Sequence, residues 1–314
     1  MMRFSIWPTA KRPWDEILEL TRHCEATGWD GVYVADHFMP HGEFTPDVDQ
    51  TVALDGDTLE CWSVVAALAA AVPRLRIGTL VSSVTYRHPA VLANMAAAVD
   101  NISHGRLLLG IGAGWQLNEH GAYGIELGSV GERLDRFEEA CEVITSLLRE
   151  RRTTFAGKHY RVTDAPNQPL PVQPRLPLLI GGGGEKRTMR LAAHYADEWN
   201  FWSTPDVLAG KVRVLHGHCE ALGRDPGEMR VSTQALLFLS ADAGRVAEMR
   251  AAAPQLAIVG TPGEVTDIVG RYREAGADEL IVPDSTLGPL AECKDTCDRF
   301  FEQVAVHFRG DNDD

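Results

Sequence analysis

Eight short, mostly apolar runs are spaced along this 314-residue chain, each followed by a stretch of helical periodicity or an insertion. No other feature restricts the fold as strongly, because strands alternating with helices are joined by crossovers and pair in parallel. The runs are Phe4 to Trp7, Gly31 to Ala35, Leu75 to Ser82, Leu107 to Ile111, Leu178 to Ile180, Glu198 to Trp202, Arg230 to Leu239 and Glu279 to Pro283. Leu107 to Ile111 has no polar side chain, as expected of a strand covered on both faces. The pattern predicts an α/β chain, a (β/α)8 TIM barrel over residues 1–314, with insertions after strands 4 and 7 and an inserted stretch around 115–175. A doubly wound sheet with a second domain is the alternative, and no G-x-G-x-x-G after the first strand supports it.

Between the strands, helices are expected from Trp14 to a stop at Gly28, over Trp62 to Ala71, from Pro89 to His104-Gly105, and over Gly131 to Arg151. Later ones are expected over Glu185 to Tyr195, Pro205 to Leu222, Ala243 to Ala252, Gly263 to Ala275 and Leu290 to Phe308. The rhythm pauses from Gly112 to Gly131, and Thr153 to Arg161 reads as a hairpin. His41 to Asp57 is long for a connection and reads as an active-site loop.

Charge excludes some partners. With 30 Lys and Arg against 44 Asp and Glu, the net charge is −14, and no basic cluster invites nucleic acid or an anionic membrane. Six dispersed cysteines read as reduced thiols, and neither a leader nor a long apolar stretch is visible, so a cytoplasmic protein is expected. His216, His218 and Cys219 lack a partner pair of ligands, so no metal is expected.

Chemistry is sought at the carboxyl ends of the strands, where barrels hold their ligands. The second ends in Asp36-His37, a proton-transfer pair in which a carboxylate beside the imidazole would raise its pKa and fix its tautomer. The third ends in small and apolar residues, Gly78 to Ser82, where a flat ring could rest. The fourth ends Gly110-Ile111-Gly112-Ala113-Gly114-Trp115, and its glycines require close approach by a ligand or by a neighbouring segment. The fifth runs into Gly181, Gly182, Gly183 and Gly184 directly before the expected helix at Glu185, an anion site to which Lys186 and Arg187 add charge. Trp7, Trp62, Trp115 and Glu119 are candidates for a substrate pocket.

These residues resemble the bacterial luciferase-like monooxygenase superfamily, in particular its deazaflavin (coenzyme F420)-dependent oxidoreductases. The resemblance rests on Gly28-Trp29-Asp30-Gly31-Val32-Tyr33-Val34-Ala35-Asp36-His37-Phe38 and on Asp100 through Trp115. It implies that His37 faces the reactive part of the deazaflavin with Asp36 beside it. It also implies a non-prolyl cis bond at Leu80-Val81 behind the ring, a cofactor wall that includes Gly112, Ala113, Gly114 and Trp202, and a phosphate loop at Gly181 to Gly184. The implied activity is hydride transfer to or from a small organic substrate, in a homodimer. An FMN-dependent monooxygenase and a non-catalytic flavin-binding barrel are the alternatives. Where sugar-phosphate and alcohol dehydrogenases of this group carry an acidic residue after the glycines, this chain has Trp115.

Overall fold

The structure, a computed structural model, describes residues 1–40, 51–52 and 54–310. Most of the expected active-site loop, residues 41–50 and 53, lies outside the described residues, as does the acidic tail 311–314.

Eight parallel strands close into a barrel. They are β1 (Arg3–Trp7), β2 (Gly31–Val34), β3 (Arg76–Thr79), β4 (Leu107–Gly112), β5 (Leu178–Gly181), β6 (Glu198–Asn200), β7 (Arg230–Gln234) and β8 (Glu279–Pro283). Each pairs with its chain neighbour, β8 returns to β1, and β3 pairs with β4 through Ile77–Leu107 and Gly78–Leu108. The helices outside are α1 (Trp14–Thr27), α2 (Cys61–Ala71), α3 (Pro89–Ile102), α4 (Leu117–Tyr123), α5 (Val130–Arg149), α6 (Thr188–Tyr195), α7 (Pro205–Ala221), α8 (Ala243–Ala252), α9 (Pro262–Glu274) and α10 (Leu290–Gln303).

Local chemistry sets several of these boundaries. Gly28 ends α1 at φ 96°, a left-handed cap that disfavours residues with a Cβ. The Glu60 carboxylate caps α2 by accepting from the amides of Trp62 and Ser63, and Ser129 and Glu132 form a reciprocal capping box on α5.

Four expectations need correction. The run Arg230 to Leu239 is not one strand: Leu236–Leu239 leaves the barrel and pairs in parallel with Ala257–Gly260, a strand the sequence reading missed. The pause after the fourth strand contains α4. The hairpin is wider than expected, Arg152–Ala156 against Arg161–Pro166. Finally, α6 begins at Thr188, so the four glycines do not abut a helix.

Strand alternation and register sort the side chains into two sets. Phe4, Ile6, Val32, Ile77 and Trp199 face outward into the main core beneath the helices. Arg3, Ser5 and Trp7 of β1 face the lumen, as do their counterparts on the other strands. The lower lumen holds a closed set of charges. Arg3 Nη2 lies 3.4 Å from Glu198 and 3.2 Å from Glu279. Arg76 donates to Glu198 at 2.5 Å and approaches Glu279 at 3.5 Å. Ser5 and the Tyr33 hydroxyl donate to Glu279 at 2.5 and 3.2 Å. Above this layer Tyr33, Leu80, Leu108, Leu179 and Ile281 form an apolar plug against which Trp7 and Val81 pack. The lumen is therefore a filled core with a mouth only at the carboxyl ends of the strands.

Candidate active site

The mouth is built by the segments that follow β2, β3 and β4. Backbone after β2 carries Asp36 and His37, and the expected partnership between them is replaced by two separate ones. Asp36 is buried and takes Arg87 in a bidentate pair, at 2.5 Å to Oδ2 and 3.1 Å to Oδ1. Arg87 also reaches Glu60 at 2.5 Å, linking the end of β2 to the start of α2. Burial pushes the Asp36 carboxyl up from its ordinary range against the pull of Arg87. Asp36 therefore holds architecture together and is not the carboxylate that orients the histidine.

That carboxylate is Glu119, 82 residues away in sequence and wholly buried. His37 Nδ1 lies 2.6 Å from Glu119 Oε1. The Phe38 amide donates to Oε2 at 2.7 Å, the Tyr86 hydroxyl donates to Oε1, and Asn118 Oδ1 accepts from the Glu119 amide at 2.7 Å. Burial alone would raise the Glu119 pKa, but the bonds from His37, Tyr86 and Phe38 outweigh it and hold the carboxyl below its ordinary range. An ionised carboxylate only accepts, so Nδ1 carries the proton of this bond. The Trp115 ring meets the imidazole edge to face, with centroids 5.4 Å apart, and is 41% exposed.

Helix α4, which brings Glu119, is pinned on both sides. Gln116 and Asn118 donate to the carbonyls of Met39 and Pro40 at 3.2 and 3.1 Å. His120 accepts or donates at 2.7 Å to Thr85 and lies 2.6 Å from the Gln116 carbonyl oxygen. Nothing in the chain's local pattern marks this helix as the source of the histidine's partner; the only available signal was a carboxylate close after a strand end.

The glycines have a steric cause inside the protein. Leu80–Val81 is a cis peptide between β3 and the short strand Ser82–Ser83. It directs Val81 over the ends of β4 and β5. A Cβ on Gly112 would lie 2.8 Å from a Val81 methyl, and one on Gly181 would lie 3.0 Å from the same side chain. A Cβ at Gly110 would strike the Thr79 carbonyl oxygen, and one at Gly114, already at φ 84°, would lie 2.5 Å from Ser83 Oγ. Gly183 sits under the Phe201 ring. Neighbouring chain segments thus account for most of the glycine pattern, and the surface they leave beside Val81 and Ala113 is smooth and apolar.

The amides of Gly183, Gly184, Glu185 and Lys186 donate to nothing among the described residues. Of the cations expected near a phosphate, Arg187 instead pairs with Asp135 at 2.9 Å and Glu138 at 3.2 Å. Lys211, not singled out by the sequence, reaches the Gly183 carbonyl oxygen at 2.9 Å and Glu185 at 2.8 Å.

The expected pocket tryptophans separate. Trp7 and Trp202 meet across the mouth from β1 and from the segment after β6, with ring centroids 6.2 Å apart. Trp62 does not join them: it is buried in the outer core, its indole donating to Ser82 at 3.0 Å, because α2 turns that face toward β3 and away from the lumen.

The chain is 35% identical over 187 residues to an F420-dependent glucose-6-phosphate dehydrogenase of Microbacterium testaceum, a match covering 58% of this chain and 51% of that protein. It spans about half the length of the curated relatives it matches. Among solved structures, the coenzyme F420-dependent tetrahydromethanopterin reductase of Methanopyrus kandleri superposes with a TM-score of 0.81 at 17% identity, covering 98% of this chain and 99% of that one. A monooxygenase of Streptomyces bottropensis superposes with a TM-score of 0.80 at 22% identity, covering 98% and 100%. Both share the barrel. Residues 1–255 match the luciferase-like monooxygenase family, and the chain belongs to it.

Proposed function

We propose that the protein is an F420-dependent oxidoreductase that transfers hydride between the deazaflavin and a small organic substrate, with His37 handling the accompanying proton. The observation that carries this reading is the 2.6 Å bond from His37 Nδ1 to buried Glu119 at the mouth of the barrel. Curated relatives that match just over half of this chain include F420-dependent glucose-6-phosphate dehydrogenases, which supports the choice of cofactor.

The residues present fit a flat ring with an anionic tail. Val81, Gly112, Ala113 and Gly114 would back the ring, and the undonated amides at Gly183 and Gly184, with Gly181 and Gly182 before them, would meet a phosphate. When bound, such a cofactor supplies two-electron hydride chemistry. The chain's own share is the proton. When a substrate alcohol becomes a carbonyl it loses a C–H hydride and an O–H proton together, and His37 Nε2 accepts the proton. In the reverse direction Nε2 gives it back. Glu119 acts through the imidazole, holding its tautomer and stabilising the imidazolium once the proton has arrived. Tyr86 and the Phe38 amide hold Glu119 in place.

Titration of the purified protein with F420 and, separately, with FMN tests the assignment by fluorescence. Tight F420 binding and weak FMN binding is the expected result. Preferential FMN binding with oxygen consumption would replace it by the monooxygenase reading. The proposal extends to a homodimer in the cytoplasm. In support, no described helix is long and apolar enough to cross a membrane, and all six cysteines are free and buried. Light scattering on the eluting protein tests the dimer.

A further inference from the structure

Among the polar atoms at the mouth that are buried without a partner among the described residues are Trp202 Nε1 and Gln234 Oε1. Gln234 is the last residue of β7 and stands in register with Ile281, whose side chain belongs to the lumen plug. Register neighbours on a sheet point the same way, so Gln234 is aimed into the lumen; it is only 8% exposed. Trp202, in the segment that follows the neighbouring strand β6, touches Trp7 across the opening. One layer lower the corresponding groups are satisfied within the protein, Asn200 donating to Ser232 at 2.9 Å. A buried amide oxygen without a donor is destabilising, and an apolar residue of similar size would avoid that cost. Barrel packing therefore gives no reason for a glutamine here.

The Arg12–Asp284 ion pair on this side of the mouth is already matched. Arg12 donates to Asp284 at 2.5 Å, to Glu16 at 2.9 Å and to the Gly288 carbonyl oxygen at 2.7 Å, and Asp284 also accepts from the Thr9 amide at 2.7 Å. Neither member of that pair is left to neutralise a charged ligand.

We infer that Gln234 and Trp202 determine substrate specificity, selecting an uncharged organic molecule that gives a hydrogen-bond donor to Gln234 and an acceptor to Trp202. The Trp7 and Trp202 rings cover its apolar body. A hydroxyl group remote from the reacting carbon can give to Gln234 or accept from Trp202, whereas a phosphate or carboxylate finds Arg12 already taken by Asp284. This inference rests on the reading of the mouth as the place of hydride transfer.

Three matched probes test it: 4-hydroxycyclohexanone, cyclohexanone and 4-oxocyclohexanecarboxylate. Their binding to the cofactor-free protein is followed by saturation-transfer NMR, for wild type, Gln234→Leu and Trp202→Phe, beside a thermal melt of each. The hydroxy ketone is expected to bind wild type best and to lose roughly tenfold in affinity in each variant, the worth of one neutral hydrogen bond. Cyclohexanone is expected to bind all three proteins equally, and Gln234→Leu to melt no lower than wild type. Preference for the carboxylate, unchanged binding of the hydroxy ketone in Gln234→Leu, a clearly lowered melting point of that variant, or no binding of the hydroxy ketone to wild type would each overturn the inference. A parallel F420 titration reports separately on the cofactor reading, whose failure would leave the NMR result standing by itself.

Discussion

The two ends of the barrel lumen are made by the same eight strands and follow opposite rules. At the lower end two arginines and two glutamates close on one another, with Ser5 and Tyr33 filling the remaining glutamate sites. Arg3 Nε is the one unpartnered atom there among the described residues. At the mouth, polar atoms of Gln116, Trp202 and Gln234 are buried without partners among the described residues, and His37 Nδ1 is oriented by a carboxylate. The same low-polarity surroundings act on both ends. The lower groups are satisfied within the fold, and the unpartnered groups at the carboxyl ends of the strands are the ones the proposed function assigns to a ligand.

Breaking the lower end should have the largest effect. Arg76→Met leaves Glu198 and Glu279 with Arg3 alone, and a loss of about 3–5 kcal/mol in urea unfolding is expected. A neutral result would mean that the lower charges are not the structural half of the contrast. At the mouth, His37→Ala should lower kcat by about 10²–10⁴-fold while F420 affinity stays at the wild-type value. Turnover that survives would remove the proton-transfer role.

Glu119→Gln sharpens the contrast through pH. The folded carboxyl lies below its ordinary range, so its stabilising share is present above the unfolded value and is lost as pH falls through the folded one. The wild-type advantage over Glu119→Gln should therefore narrow on acidification from about pH 5 downward, as read from unfolding curves at several pH values. An advantage that widens in acid would contradict the ionised carboxylate. The smallest expected change is Gly112→Ala, destabilising by about 1–3 kcal/mol through overpacking against Val81. Adding Val81→Ala should recover much of it. If no recovery follows, the glycine answers to something other than Val81.

Periodic burial made the barrel legible in the sequence. Leu107 to Ile111 and Glu279 to Pro283 read as buried strands because both faces are covered, and each is observed as a strand. Ala257–Gly260 escaped notice because four apolar residues between Pro254 and Pro262 look like a connection, and its partner Leu236–Leu239 was read as the continuation of β7. Around the site, what was legible was local. His37 stood out at a strand end, but its partner lies 82 residues on, and the Arg87 that claims Asp36 lies 51 residues away. Adjacency in sequence suggested a pair that adjacency in space dissolves. The glycines of the fourth strand were correctly read as marking close approach, and the approaching groups are the protein's own Thr79, Val81 and Ser83.

The histidine's carboxylate does not come from a barrel strand. It arrives on a seven-residue helix inserted between β4 and α5, tied down by hydrogen bonds to the loops on either side. The orientation of the imidazole is thus set by an inserted part. A change confined to that insertion alters how the imidazole is held and leaves the barrel strands as they are, a separation that allows one scaffold to diversify without refolding.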